Sequence, residues 1–420
     1  MIIKQFDKLA TTELRKDILA IAEAGYEAIS IPNLIGKTLS FQNGILKIEQ
    51  TNYDLKKYKR IYVAAIGKGS GLICQQLEEL LGPQNITAGV AIDLKHRKLK
   101  KIKVFGGTHP LPSQRNILAT KKLIQTLQNA RAKDLVIAVI CGGGSSLACL
   151  PTKHNTCEDL QLVSDHLLKN GATIQQLNTV RKHLSDIHGG NLAKFAYPAA
   201  VLGLIISDVP GDNIDIVASG PISRDESTLD DAKAVCKKFK LFGTALNETP
   251  KDSRYFKKVS KHMLASGKTA VNGMEQKARE LGYKPRIYSY NLQGLAKEVG
   301  PKLAKLVKPG EALLACGETT VVVTHPGKGG RNQDVALSAL PSLNHNSAIV
   351  SAASDGKDNI DIAGGITDHE SYYANKISID PTKEVDENQS YTTLKKINGT
   401  FQIHKVTANV SDFIVVLRKD

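Results

Sequence analysis

The sequence predicts an α/β protein with two domains, and three observations support this. Five short apolar runs end abruptly in glycine or a polar residue: 61–66 before Gly67, 135–141 before Gly142, 201–206 before Ser207 and Asp208, 312–316 before Gly317, and 348–353 before Ser354 and Asp355. Continuous apolar runs of this length read as strands buried on both faces. Helical periodicity separates several of them, as over 116–129 and 295–307, which is the alternation of crossover-linked sheets. The length of 420 residues gives two to three domains at about 150 residues each.

Taken in order, 12–30 reads as an amphipathic helix, with Leu14, Ile18, Ile21 and Ala22 on one face and Thr11 or Thr12 as its cap. The first three apolar runs belong to one sheet-forming half. The Lys-rich stretch 225–261 lacks strand signals and is expected to hold helices and the domain connection. The second half opens with a helix over 263–282, followed by a strand over 286–290. The polar stretch 381–398, with Pro381, Lys383, Glu384, Asp386 and Glu387, reads as a surface excursion. The domain boundary is placed between 1–240 and 241–420.

Composition excludes several classes. Hydrophobic residues at 41% and charged residues at 23% are those of a globular chain, not a disordered one. With no Trp and aromatics at 5%, bases would have few stacking platforms, so no nucleic-acid partner is expected. No apolar run approaches the ~20 residues of a membrane span. The first ten residues do not read as a secretory signal. No membrane association and a cytoplasmic location are the expectations. The six cysteines contain no CxxC pair, so they are expected to be small buried residues in a reducing compartment, with no zinc site. The net charge of +15 is mostly dispersed lysine. Its densest cluster, Lys95, Arg97, Lys98, Lys100, Lys101 and Lys103, reads as a solvated strand edge that lysine keeps from pairing. Such a surface would also attract anionic metabolites.

In open α/β sheets, ligands bind beyond the carboxyl ends of the strands, so the five strand exits are where chemistry is expected. Gly67, Lys68 and Gly69 in a GxGxG turn would let backbone amides approach an anion while Lys68 adds a point charge. Gly142, Gly143 and Gly144 followed by Ser145 and Ser146 read as a phosphate- or nucleotide-binding turn. Asp208 and Asp355, each at a strand exit, are candidates for holding Mg²⁺ or accepting a proton. Asp212 reads as an Asx turn. Glu318 and Thr319 follow the fourth run, and Arg331 after Gly329 and Gly330 reads as an anion clamp. Arg181, Lys182 and His183 sit on one helical turn, His183 as a structural hydrogen-bonder. The sequence has no GxxxxGK[ST], no HRD or DFG set, no GxSxG and no HExxH, which argues against P-loop NTPases, protein kinases, α/β-hydrolases and zincins.

These residues resemble the glycerate 2-kinases whose C-terminal part is called the MOFRL domain. The matching pieces are AIGKGSG at 65–71, HPLP at 109–112, GGGSSL at 142–147, NTVRKHLSDIHGGNLA at 178–193 and SDVPGDNIDIVASGPI at 207–222. GETTVVV at 317–323, GKGGRNQDVAL at 327–337 and SDG at 354–356 continue the series. The resemblance implies a large Rossmann-like α/β/α N-terminal domain and a smaller α/β C-terminal domain. It also implies ATP- and Mg²⁺-dependent phosphorylation of glycerate to 2-phosphoglycerate in the cleft between them. Lys68 and Arg331 match the Lys and Arg proposed for the family's active site. Three positions depart from the family pattern. Ser113 stands where Asp usually follows HPxP, Asn359 replaces a usual Gly, and 404–410 lacks the usual Gly-Pro-Thr-Gly.

On this reading ATP lies along Gly67, Gly69, Gly142, Gly143, Gly144, Ser145, Ser146, Glu318 and Thr319. Lys68 and Arg331 neutralise charge on the transferring phosphoryl group. Asp208 and Asp355 serve as metal ligand or proton acceptor, and Arg181 or Lys182 holds the glycerate carboxylate. Glycerate and ATP are the expected partners, and a homodimer is compatible with the reading. The alternatives are an NAD(P)-dependent hydroxypyruvate reductase resting on the GxGxG turn, a related hydroxy-acid kinase with an altered substrate, and a basic nucleic-acid-binding protein resting on net charge alone.

Overall fold

The computed structural model describes residues 1–209, 211–370, 380–404 and 407–420. The chain forms two compact units, one of 35–207 with 213–264, the other of 1–34, 208–212 and 265–420.

The first unit begins with an antiparallel meander, β1 (Leu39–Gln42), β2 (Ile45–Ile48) and β3 (Thr51–Asp54). A seven-stranded sheet follows, of β4 (Ile61–Ile66), β5 (Ala88–Asp93), β6 (Arg97–Lys98), β7 (Ile102–Gly106), β8 (Leu135–Cys141), β9 (Ala200–Ile206) and β10 (Val259–Ala265). Their order is β10-β9-β8-β4-β5-β7-β6. The pairings from β9 through β7 are parallel. The three runs expected as strands are β4, β8 and β9, and β4 and β8 are buried at every position. The basic cluster coincides with the sheet edge: exposed Arg97 and Lys98 form β6, antiparallel to β7. The run 225–261 does contain strand, since β10 starts at Val259, after the helix Leu229–Lys238.

The second unit holds a mixed six-stranded sheet of β11 (Lys284–Leu292), β12 (Glu311–Gly317), β13 (Ser347–Ala353), β14 (Gly364–Asp368), β15 (Thr400–Phe401) and β16 (Asp412–Arg418), ordered β11-β12-β16-β13-β14-β15. β16 runs antiparallel between β12 and β13. The helix expected from 263 starts at Gly267. The expected surface excursion at 381–398 holds two helices instead, Pro381–Asp386 and Ser390–Lys396. Asp380 caps the first, and Val385, Leu394 and Ile397 join the core beside Val335 and Leu337.

The unit boundaries depart from the expected division at 240/241. The helix Glu13–Ala28, capped by Thr12 through the Arg15 amide, belongs with the C-terminal sheet. Its buried face of Leu14, Ile18, Ile21 and Ala22 is as the periodicity predicts, but a stripe does not name its partner. The partner is the helix Gly267–Glu280, approached so closely that a Cβ on Gly273 would lie 2.7 Å from the Ala24 carbonyl oxygen. Tyr26 packs edge-to-face on Phe413 at 4.8 Å, and Arg15 reaches Asp368 at 2.7 Å with both side chains about 1% exposed.

Cys74, Cys141, Cys236 and Cys316 are buried and free, as expected, but Cys149 and Cys157 form a disulfide. The chain folds back between them: the Thr152 amide donates to the Leu184 carbonyl and the Asp186 amide to that of Leu150. This brings the start of the helix Cys157–Lys169 to Cys149, a tertiary effect that a spacing of eight residues does not announce.

Removing one partner of a buried ion pair strands the other charge. Arg15→Leu is expected to lower the unfolding free energy of this unit by about 3–5 kcal/mol in denaturant titration. A loss under about 1 kcal/mol would show that the pair does not anchor the N-terminal helix.

Candidate active site

In the seven-stranded sheet the chain winds outward from β4 to β5 and β7, then returns to place β8 and β9 on the other side of β4. The winding direction therefore reverses between β4 and β8, the switch point at which such sheets bind ligands. The exits of these two strands are the Gly67 and Gly142 turns, and the Lys68 amide donates to the Gly142 carbonyl at 2.9 Å. Gly67, at φ +111°, passes so close to β8 that a Cβ would lie 2.3 Å from the Cys141 carbonyl oxygen. The Lys68 side chain crosses Gly143, whose missing Cβ would lie 3.1 Å from Lys68 Cγ and 3.2 Å from His109 Nε2. Gly67, Lys68, Gly142 and Gly143 thus come together as the sequence predicts.

The amides of the first turn, however, are not open to an anion. Those of Gly69 and Gly71 donate to Asp93 at 3.0 Å each, the Leu94 amide joins them at 2.6 Å, and the Gly67 amide donates to the Ile92 carbonyl. The Asp93 carboxylate occupies the place assigned to a phosphate. Burial raises its pKa, against the pull of the three amides and Arg97. Sequence reading missed Asp93, although its signal is a carboxylate directly after the apolar run 90–92.

The second turn is held by buried Asn116. Its amide nitrogen donates to the carbonyls of Ser146, Leu147 and Thr108, and its oxygen accepts from the Ser113 and Thr108 amides. Ser113, the departure from the family pattern, caps the helix Gln114–Leu127. Gly144 packs on Ala218, and Ser145 Oγ lies 2.9 Å from Ser219 Oγ. Ser145 and Ser146 share a cavity of about 40 Å³ with Arg181, His188 and Ser219. Lys182 does not line it, because its ammonium is paired with buried Asp225 at 3.1 Å. His183 is fully buried between the Thr179 carbonyl and Glu248, a structural role.

In the other unit Glu318, Thr319, Arg331, Asp334 and Asp358 line a cavity of about 650 Å³, well within the size range of ligand pockets. Arg331 is no open clamp: Nε and Nη2 bond Asp412 at 2.5 and 3.0 Å, and Nη1 bonds Glu318 at 2.6 Å. Burial, with Asp358 and Glu318 nearby, pushes Asp412 up to about 7 against the pull of Arg331. Burial also pushes Asp334 up to about 6. Asp358 repeats the part played by Asp93, accepting from the Asn332 and Gln333 amides at 3.1 and 2.9 Å. Asp208 accepts from Asn409 Nδ2 at 3.1 Å and Asp355 from the Lys357 amide at 3.0 Å, and neither is among the residues lining the 650 Å³ cavity. Among the described residues no three His, Cys, Asp or Glu side chains are grouped to hold a metal. Mg²⁺ asks for less, one or two carboxylates plus substrate phosphates, and hard oxygen donors such as Asp208 and Asp355 fit that need. Lys68 belongs to one unit, and Arg331, Asp208 and Asp355 to the other.

Comparison with known proteins adds a second kind of observation. Residues 17–253 match the family model described as "Domain of unknown function (DUF4147)", and 311–412 match the MOFRL family. A Pyrococcus horikoshii protein named glycerate 2-kinase is 34% identical, across 85% of this chain and 87% of its own length. The chain belongs to the glycerate 2-kinase family. Another relative, the D-glycerate 2-kinase of Thermotoga maritima, is 33% identical across 85% of this chain and 90% of its own. Crystal structures of a T. maritima glycerate kinase and of a P. horikoshii protein superpose with TM-scores of 0.83 and 0.79, each at 31% identity. Both cover 97% of this chain, and 99% and 98% of their own. Where the family usually has Gly, Asn359 adopts φ +65°, a left-handed conformation that Asn tolerates. In the departing segment 404–410, Lys405 and Val406 lie outside the described residues.

His188 supplies a pH test of this family member. Burial, helped by Arg181, pushes its pKa from 6.5 down to about 3. The folded value lies below the unfolded one, so the neutral ring contributes stability above about pH 6.5 that is lost as the pH falls toward 3. Acid titration of the unfolding midpoint should show this limb, and His188→Gln should flatten it. An unchanged limb in that variant would assign it to other groups.

Proposed function

We propose that this protein transfers the γ-phosphoryl group of ATP to the 2-hydroxyl of glycerate, giving 2-phosphoglycerate and ADP in a Mg²⁺-dependent reaction. One observation carries the reading to particular atoms: Lys68, at the switch point of a doubly wound sheet, lies across the second glycine turn in a family whose relatives are named for this reaction. Phosphoryl transfer needs little covalent help from the protein, and positioning with charge neutralisation does most of the work. The hydroxyl oxygen attacks the γ-phosphorus, the bond to the bridging oxygen of ADP breaks, and the hydroxyl proton passes to a carboxylate. Lys68 neutralises charge on the phosphoryl oxygens. Arg331 has five N–H donors, of which its carboxylate partners take three, leaving two for phosphate. Asp208 and Asp355 are the carboxylates for Mg²⁺ and for the proton. Mg²⁺ held by these carboxylates would supply neutralisation of the phosphate charge. Arg181, not the ion-paired Lys182, serves the glycerate carboxylate. We assign the reaction to the cytoplasm, where ATP is made; no helix among the described residues is long and apolar enough to cross a membrane.

The reductase alternative loses the support of its GxGxG turn, because Asp93 holds the Gly69 and Gly71 amides. NAD(P)H consumption with hydroxypyruvate in the absence of ATP would restore it.

A kinase assay with D-glycerate and ATP–Mg²⁺, resolving 2- from 3-phosphoglycerate, is expected to yield the 2-isomer. Absence of either product would overturn the reading. Lys68→Ala should lower kcat about 100-fold or more, the scale found for electrostatic stabilisers of a transition state. Its fold should persist, and a near-normal kcat would remove Lys68 from the mechanism.

A further inference from the structure

We propose that the cavity walled by Arg181, His188, Ser145, Ser146 and Ser219 is the subsite for the carboxylate and α-hydroxyl of the substrate, with His188 Nε2 as an acceptor for the hydroxyl beside the Arg181 guanidinium. The inference rests on the kinase reading for the identity of the substrate, but its geometry stands on its own.

One buried and one half-buried group in this cavity lack their usual partners. His188 is 3% exposed and its Nε2 has no hydrogen-bond partner. The Gly144 carbonyl accepts from the same ring, a bond that favours the charged form. With Nε2 unpartnered, the donor is Nδ1, and Nε2 of the neutral imidazole therefore carries a free lone pair. A buried acceptor without a donor is costly. Arg181 makes one hydrogen bond, from Nε to Ser164 Oγ at 3.1 Å, and no ion pair. A half-buried guanidinium with no carboxylate bonded to it suits an anion.

The site is held rigidly. The Gly189 and Gly190 amides, next to His188, donate to the Ser219 and Gly220 carbonyls at 3.0 and 2.8 Å. Ala218 and Ser219 both take left-handed conformations, at φ +50° and +57°. Neither is glycine, and such strain persists where the surroundings over-determine it, commonly at functional sites.

Charge and size select the ligand class. Arg181 is the one charged group of the wall, because His188 stays neutral and Lys182 is neutralised by Asp225. One positive charge matches a monoanion and under-neutralises a phosphate dianion. A cavity of about 40 Å³ holds a carboxylate and a neighbouring hydroxyl, not a triphosphate. The serine hydroxyls both donate and accept, which suits an alcohol beside the acid.

The test is calorimetric binding to the full chain without nucleotide, and again with saturating ADP. D-glycerate is compared with glycerol, which lacks the carboxylate, and with inorganic phosphate. D-glycerate should bind in at least one condition, with glycerol about tenfold or more weaker. Arg181→Met and His188→Asn, which keeps only the polar atom facing Gly144, should each weaken D-glycerate about tenfold or more. His188→Gln, whose amide reaches the place of Nε2, should stay within about threefold. KM for glycerate should follow the same order while KM for ATP stays within about twofold. If a His188 or Arg181 variant does not fold, Ser146→Ala replaces it, with an expected weakening of about threefold or more. D-glycerate binding in neither condition, equal binding of glycerol, tighter binding of phosphate, or variants indistinguishable from wild type would each overturn the subsite. Phosphoryl transfer absent with the binding pattern intact would sink the kinase reading and leave the subsite standing.

Discussion

The pairing of β4 with β8 is the constraint on which the first unit's site depends. Its register, Ile61 opposite Leu135 through Ile66 opposite Ile140, ends both strands at the same level. The Gly67 turn then meets the Cys141 carbonyl at a distance that no side chain fits. Two glycine-rich turns far apart in sequence become one surface, with the Lys68 amide bonded to Gly142 and its side chain laid over Gly143. Asn116 extends that surface by tying the second turn to the 108–113 segment. A slip of one residue in the parallel ladder would reverse every buried face of a strand that has no polar side.

Both units solve the same electrostatic problem in the same way. A glycine-rich turn leading into a helix leaves backbone amides without partners. Asp93 takes them in one unit and Asp358 in the other. These carboxylates are withdrawn from water, and for each burial raises the pKa while the amides pull it down. With the amides engaged, the proposed reaction leaves recognition of anions to side chains: Lys68, Arg181 beside neutral His188, and Arg331 steadied by Asp412 and Glu318.

Arg331 and Arg181 show how similar residues come to differ. Arg331 stands between two carboxylates, and their attraction outweighs the burial that would otherwise lower its pKa. Arg181 has Asp165 in its field but no ion pair, so burial prevails and its pKa falls. The first arrangement presents a positioned cation whose charge is already shared. The second presents a half-buried cation with no bonded carboxylate, as the proposed subsite requires.

The sequence by itself determined six strands, β4, β8, β9, β11, β12 and β13, four of the helices and the positions of the five strand exits. Each of these rests on short-range signals: continuous apolar runs, 3.6-residue periodicity, and a cap such as Thr12. The residues at β4 and β8 were legible for the same reason, since a glycine after a buried strand marks itself. Tertiary structure decided which surfaces meet. It attached the helix Glu13–Ala28 to a sheet that begins more than 250 residues later, folded Val385 and Leu394 into a core from a polar stretch, and joined Cys149 to Cys157. It also gave the turn amides to Asp93, 22 to 24 residues away, and Lys182 to Asp225, 43 residues away. His188, read from the sequence only as part of a motif, became an unpaired buried acceptor. Side-chain charge and burial are properties of neighbours brought together by folding, and the local pattern of a chain does not name those neighbours.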